Sequence, residues 1–481
     1  MFKATPHVMT PTIREEPELL HILSVDACIE ENGMNHKTEY YVIMQQKKGL
    51  VVRRGQPFYL NVKFNRDYDV ENDILYIELK LEVEQYNYEQ NYKVPKVLIP
   101  LLNSGELKTC WVASINSADK KSMRMKVNIP DGACVGKYHI QFDTLTKTTP
   151  PSNFTIDECL YIIFNPWCPD DKIHLNDEEQ RQEYVMSQKG LIWTGHVGQV
   201  EATPWSFGQF NKDVLNIAFH LINVMAYVDV VDRHDPIHVS RALSALVNGN
   251  DYDEGISLRK SDDNDADEKQ PQSFVGTSDI IEKFLKEKKP VKCGQCWIYA
   301  GVFATLCRAL GIPCRIVTNF ESAHDTDDNL RVERCFDSKG KEVYDDEFRG
   351  YSVWKFHAWN EVWMTRYDLN DERFHGWQVI DVTPQRASTR NGSYKSVYAR
   401  GPIPVMAIKI GKFDVPFNAE YIFGNIDDDV CHFKKKNDDN VKMFYKVDRL
   451  RDGPNINTKA VGSLEREDIT DTYKFPKDAS N

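Results

Sequence analysis

The residues best suited to covalent chemistry lie in the run Lys292-Cys293-Gly294-Gln295-Cys296-Trp297, which leads directly into an apolar stretch from Ile298 to Leu310. Gly294 permits a tight turn. Cys296 is thereby placed at or near the first turn of a helix, where unpaired backbone N–H groups and the helix dipole favour a thiolate. Gly311 and Pro313 mark the end of that helix. Downstream, Val353 to Trp363 is rich in aromatic and β-branched residues and reads as a strand. Alternation sets His357 on one face with Trp359 and Glu361, and Phe356, Ala358 and Val362 on the other. A turn-prone link holding Asp368, Asn370, Asp371 and Gly376 follows, then a second strand, Trp377 to Val382. Antiparallel pairing of the two strands brings Asp381 beside His357. A helix packed across them supplies Cys296, and the three side chains form a relay. In it the imidazole activates the thiol and the carboxylate fixes the imidazole tautomer.

The elements that must position these groups divide the chain. The first residues, 1–19, read as a loose tail. From 20 to 163 the pattern is short alternating runs, such as Phe58 to Phe64 and Leu75 to Leu81, separated by turn residues. Strands without intervening helices imply an antiparallel β-sandwich. From residue 164 to 476 helix-length segments, Asn211 to Asp229 and Thr277 to Lys288, alternate with strands, which predicts an α+β unit. Lys260 to Gln272 is acidic and polar and reads as a loop.

These motifs resemble those of the calcium-dependent protein transglutaminases. The resemblance rests on Gly294-Gln295-Cys296-Trp297, on Gly311 to Phe320, on Ser322-Ala323-His324-Asp325, on Trp354 to His357, on Gly376-Trp377-Gln378 and on Asp381-Val382-Thr383-Pro384-Gln385. Phe164-Asn165-Pro166-Trp167-Cys168, Glu178 to Tyr184 and Pro204 to Phe210 are similar to the start of the family's core, and Glu467 to Lys474 to its end. The family fold is an N-terminal Ig-like β-sandwich followed by a papain-like catalytic core. The resemblance implies transfer of the acyl group of a protein glutamine to a lysine or other primary amine through a Cys296 thioester, with His357 and Asp381 completing the triad and Trp354 lining an amine tunnel. Family members usually continue into two C-terminal β-barrels. With residues 477–481 closing the chain, a short form without them is the expectation.

In the family a second tryptophan donates its indole N–H to the oxyanion; the aligned position here is Ser261. Losing one such donor commonly costs about 10²–10³ in rate. A slow enzyme, an enzyme with another donor, and a catalytically weak or inactive structural scaffold therefore all stand as readings.

The resemblance also implies Ca²⁺. Hard cations need converging oxygens, and three clusters offer them: Asn248, Asn250 and Asp253; Asp325, Asp327 and Asn329; and Asp427 with Asp429. The first carries one extra residue relative to the family pattern. The third lacks its partners, because Lys477 stands where the family has a glutamate. Taken alone, acidic loops are ordinarily solvated faces.

A papain-like protease is a weaker reading of Cys293-Gly294-Gln295-Cys296-Trp297, since Asp rather than Asn follows the histidine and the thiol lies mid-chain. A zinc or redox role for the Cys293/Cys296 pair has no second pair or nearby histidine to complete it.

Bulk properties are those of an ordinary globular protein. The 481 residues suffice for two cored domains, and 27% charged with 41% hydrophobic residues is ordinary for a globular protein. A net charge of -12 argues against nucleic-acid binding. No stretch approaches the roughly 20 apolar residues of a membrane span. Eleven scattered cysteines fit reduced thiols, so a cytoplasmic location is expected, with leaderless export as a route outside. The sequons at Asn153 and Asn391 would then stay unused.

Overall fold

The computed structural model describes residues 19–83, 95–102, 109–146, 149–224, 229–248, 256, 274–291, 294–324, 331–337, 339–341, 352–388, 394–427, 429–435, 442–449 and 456–475.

The alternating runs of the first third form β1 (Ile22–Asp26), β2 (Gly49–Arg53), β3 (Phe58–Phe64), β4 (Asp73–Leu81), β5 (Lys96–Leu102), β6 (Val112–Asp119), β7 (Ser122–Asn128), β8 (Gly136–Thr146) and β9 (Ser152–Ile163). They make one curled nine-stranded sheet in the order β1-β3-β7-β6-β5-β4-β8-β9-β2. Period-two burial explains the curl: Leu60 and Val62 of β3, Ile77 and Leu79 of β4, Met125 and Val127 of β7, and Ile140 and Phe142 of β8 all join one apolar core. Antiparallel pairing dominates, as expected, with two exceptions. β5 meets β6 in a short parallel contact, which joins the two halves of the curl. β2 runs parallel to β9, reached through α1 (Ile29–His36) and α2 (Val42–Gln45) rather than a hairpin.

Further helices follow residue 164: α3 (Glu178–Arg181), α4 (Lys212–Val224), α5 (Pro236–Asn248), α6 (Thr277–Glu287) and α7 (Cys296–Ala309). Between α3 and α4 lies the hairpin β10 (Lys189–His196) and β11 (Gln199–Ser206). The strands that follow are β12 (Cys314–His324), β13 (Arg331–Phe336), β14 (Ser352–Met364), β15 (Gly376–Ile380), β16 (Gln385–Ser388), β17 (Tyr394–Val397), β18 (Ile403–Pro404), β19 (Asp429–Lys435), β20 (Lys442–Arg449), β21 (Ile456–Lys459) and β22 (Arg466–Asp468). α8 (Val405–Lys409) and α9 (Glu420–Asp427) lie among them, and α10 (Thr470–Tyr473) closes the described chain. The central sheet has the order β18-β15-β14-β12-β21-β22. α4 is described as far as Val224, residues 225–228 of the expected helix lying outside the described residues, and β15 ends at Ile380 rather than Val382.

α7 is apolar all round and buried from Ile298 to Ala309, as a helix enclosed by other elements must be. Its C-terminal end is held by the first sheet. The Tyr41 hydroxyl donates to the Ala309 carbonyl at 2.7 Å, and the Phe164 amide donates to the Leu310 carbonyl at 2.9 Å. Both satisfy carbonyls that a helix end leaves open. Gly311 turns the chain at φ +86, where a Cβ would meet the Phe164 carbonyl. Arg54, in the link after β2, forms a buried fork with Asp171, 2.7 Å on each arm, and also donates to the carbonyls of Ala133 and His234. That network ties sheet and core together at the Asn165 junction, where the Asn165 side chain donates to the Arg54 carbonyl.

Candidate active site

Cys296 is the first residue of α7, one position after Gln295, whose extended backbone has no side-chain cap. The first amides of the helix therefore point outward beside the half-buried thiol. One turn in, Gly301 lies against the ring of the buried Trp205, and a Cβ there would run into the indole. This close approach sets the depth at which α7 sits. Asn360 of β14 fixes its height, donating from Nδ2 to the Ala300 carbonyl at 2.9 Å.

β14 pairs with β15 antiparallel, Asn360 opposite Ile380. Asp381 follows as β15 peels away, its amide donating to the Ala399 carbonyl at 3.0 Å. Its Oδ2 lies 2.7 Å from His357 Nε2, and Oδ1 accepts the Thr383 amide at 3.0 Å. Both side chains are fully buried. The carboxylate thus fixes which ring nitrogen is engaged. The other, Nδ1, is buried without a hydrogen bond, and the Cys296 thiol is a further neighbour that acts on the ring. Burial would lower the imidazole's proton affinity. The charge and hydrogen bond of Asp381, aided by Cys296, overcome it and raise the pKa to about 10. Two indoles neighbour the ring, Trp354 at 4.3 Å and Trp359 at 6.0 Å between centroids. Trp297, next to the thiol, packs on Phe356 at 5.8 Å.

Sulfur, imidazole and carboxylate thus come together from α7, β14 and the end of β15, with Trp354 against the imidazole. The cation candidates are distributed differently. Asn248 ends α5 and is buried; its Nδ2 donates to the Val382 carbonyl at 2.7 Å, one residue from Asp381. Asn250, Asp253, Ser261, Asp325, Asp327 and Asn329 lie outside the described residues. Asp427 ends α9 and Asp429 begins β19. There the parallel pairing of β13 and β19 sets Asp429 opposite Arg331. Among the described residues no group of three or more His, Cys, Asp or Glu gathers closely enough to hold a metal ion. No step below runs through one.

The sequence reading overlooked Asn360, Asn248's bond to Val382, and Arg315 with Glu361. The available signal was polarity inside otherwise apolar strands, which demands a partner once buried.

Comparison with known proteins follows the same outline. A model described as the transglutaminase family matches residues 23–145, and one described as the transglutaminase-like superfamily matches 257–382. The chain belongs to the transglutaminase family. Annulin of Schistocerca americana is 37% identical over 468 residues, covering 96% of this chain and 59% of annulin. The hemocyte protein-glutamine gamma-glutamyltransferase of Tachypleus tridentatus is 37% identical over 477 residues, 95% of this chain and 60% of that protein. The crystal structure of red sea bream transglutaminase superposes with a TM-score of 0.81 at 30% identity, covering 95% of this chain and 66% of that one. The chain therefore spans about 60% of the length of the curated relatives it matches.

Proposed function

We propose that this chain crosslinks proteins by acyl transfer from glutamine side chains to lysine or other primary amines. The single observation that carries the reading is the buried 2.7 Å His357–Asp381 pair, set beside a cysteine that opens a helix. The Cys296 thiolate attacks the carboxamide carbon, and the imidazolium gives its proton to the departing ammonia. A thioester remains. The now neutral His357 takes a proton from the incoming amine, which attacks the thioester carbon and displaces the sulfur, forming an isopeptide bond and regenerating the thiolate. Asp381 holds the imidazole in orientation throughout. The first amides of α7, Cys296's own among them, are placed to receive the oxyanion. Trp354, half-buried against the imidazole, is assigned to the approach of the amine and the exclusion of water.

Activation by Ca²⁺ is part of the proposal and rests on the side-chain oxygens of Asn248, Asn250 and Asp253, of Asp325, Asp327 and Asn329, and of Asp427 and Asp429, with Asn248 bonded to the residue beside Asp381. The ion would supply positive charge where such oxygens hold it. We assign the sandwich to residues 20–163 and the catalytic unit to 164–476. Eleven cysteines scattered without dense spacing support work in a reducing cytoplasm. Among the described residues no helix is long and apolar enough to cross a membrane.

Incorporation of a fluorescent primary amine into casein, titrated with calcium, tests this reading. Calcium-dependent labelling is expected. No labelling, together with an unreactive Cys296, would favour the scaffold alternative.

A further inference from the structure

Behind the imidazole lies a buried polar chain with no part in the proton transfers above. Arg315 on β12 faces Glu361 on β14 across the strand pair. Its Nε and Nη2 reach Glu361 Oε2 at 2.8 and 2.7 Å, both side chains being nearly or wholly buried. The Arg315 guanidinium also lies over the Trp377 ring at 4.3 Å. The other oxygen, Oε1, accepts the hydroxyl of Tyr473 from α10. That same hydroxyl accepts the Trp359 indole N–H at 3.0 Å, and the two rings meet edge to face at 5.9 Å. Trp359 and Glu361 share the His357 face of β14.

Each link is directional. Burial, with the Glu361 charge, raises the Tyr473 phenol well above its usual range, so it stays protonated as a donor to Glu361. Its lone pairs are then left for the indole. Trp359 is held at both its ring edge and its N–H, and it is one of the two indoles that neighbour the imidazole. A fully buried indole with its N–H engaged is restricted in its tilt, and it restricts the ring beside it.

We propose that Tyr473, acting through Trp359, is a positioning residue that keeps the His357 imidazole aligned with Cys296, and that the chain Arg315–Glu361–Tyr473–Trp359 makes α10 a working part of the site. The inference rests on the reading of Cys296 and His357 as nucleophile and base. It gives the described chain's last helix a function beyond packing.

The test is Tyr473→Phe, which keeps the ring and removes both hydrogen bonds of the hydroxyl. The readout is the pH dependence of iodoacetamide alkylation at Cys296, resolved by mass spectrometry from the other thiols, in the full chain and below its melting temperature. A misaligned imidazolium holds the thiolate less well. The alkylation midpoint should rise by about one pH unit, and kcat for amine incorporation should fall roughly tenfold with KM for the amine unchanged. Trp359→Phe leaves the Tyr473–Glu361–Arg315 bonds in place and should give the same shift. The double variant should be no worse than either single one. A folded Tyr473→Phe protein whose alkylation profile overlays the wild type, or a double variant whose losses add, overturns the proposal. If Tyr473→Phe does not fold, Trp359→Phe alone decides by the same profile. The alkylation measurement needs no turnover, so a wild-type chain that incorporates no amine would refute the proposed function and leave the positioning claim separately decided.

Discussion

Asp381→Asn separates charge from shape at the site. The amide retains the size of the carboxylate and an oxygen for the Thr383 amide, but loses the charge that faces His357 Nε2 at 2.7 Å. In the wild type that charge outweighs burial and brings the imidazole to about 10, against roughly 6.5 for an unfolded histidine. Because the folded value lies above the unfolded one, the protonated ring stabilises the fold fully below about pH 6.5, and the contribution disappears as pH rises through about 10. A gap of roughly 3.5 units corresponds to about 5 kcal/mol at most, of which about 3 kcal/mol remains at about pH 7.5. In Asp381→Asn burial prevails and the ring is neutral at neutral pH. The decline of stability across that window should flatten. Acyl transfer should fall by roughly 10³–10⁴, because no imidazolium sustains the thiolate and the tautomer is no longer fixed. Urea unfolding between about pH 6 and pH 10, together with initial rates of amine incorporation, measures both effects. A variant whose stability still declines in parallel with the wild type, or whose rate stays within tenfold, would refute the charge-based account of the site.

Trp354→Ala should admit water to the thioester and shift the products from amine transfer toward hydrolysis by roughly tenfold; comparing ammonia release with amine incorporation reads the ratio, and an unchanged ratio removes Trp354 from the amine path. Gly301→Ala drives a methyl group into the buried Trp205 ring, which should cost about 1–3 kcal/mol by thermal unfolding and lower the rate by displacing Cys296; full stability would show that α7 is free to shift. Ser261→Trp should raise turnover by up to about 10²-fold if the indole N–H reaches the oxyanion, whereas an unchanged rate in a folded variant would show that another donor already serves there.

Much of the site was legible because local chemistry and long-range placement agree. Apolar periodicity together with Gly311 and Pro313 bounded α7, and alternation in β14 put His357, Trp359 and Glu361 on one face. The antiparallel pairing of β14 and β15 sets Asn360 opposite Ile380, and the place of Asp381 follows from that register. What escaped the sequence depends on contacts between distant segments. Arg315 and Glu361 read as ordinary charges until β12 and β14 are paired. Tyr473 lies 112 residues from Glu361, and no local period connects them. Asn248 was read for its side-chain oxygen, and the bond that its Nδ2 donates to Val382 was not anticipated; a side chain with both a donor and an acceptor cannot be oriented from spacing alone. The parallel β2–β9 pair also escaped, because strand direction is set by the route through α1 and α2 and not by the strand's own residues.

The most direct measurement is fluorescent-amine incorporation into casein at saturating calcium by the wild-type chain and by Cys296→Ala side by side, with circular dichroism to verify equal folding. The account predicts labelling by the wild type and none by the variant. Labelling that persists without the Cys296 sulfur would contradict it.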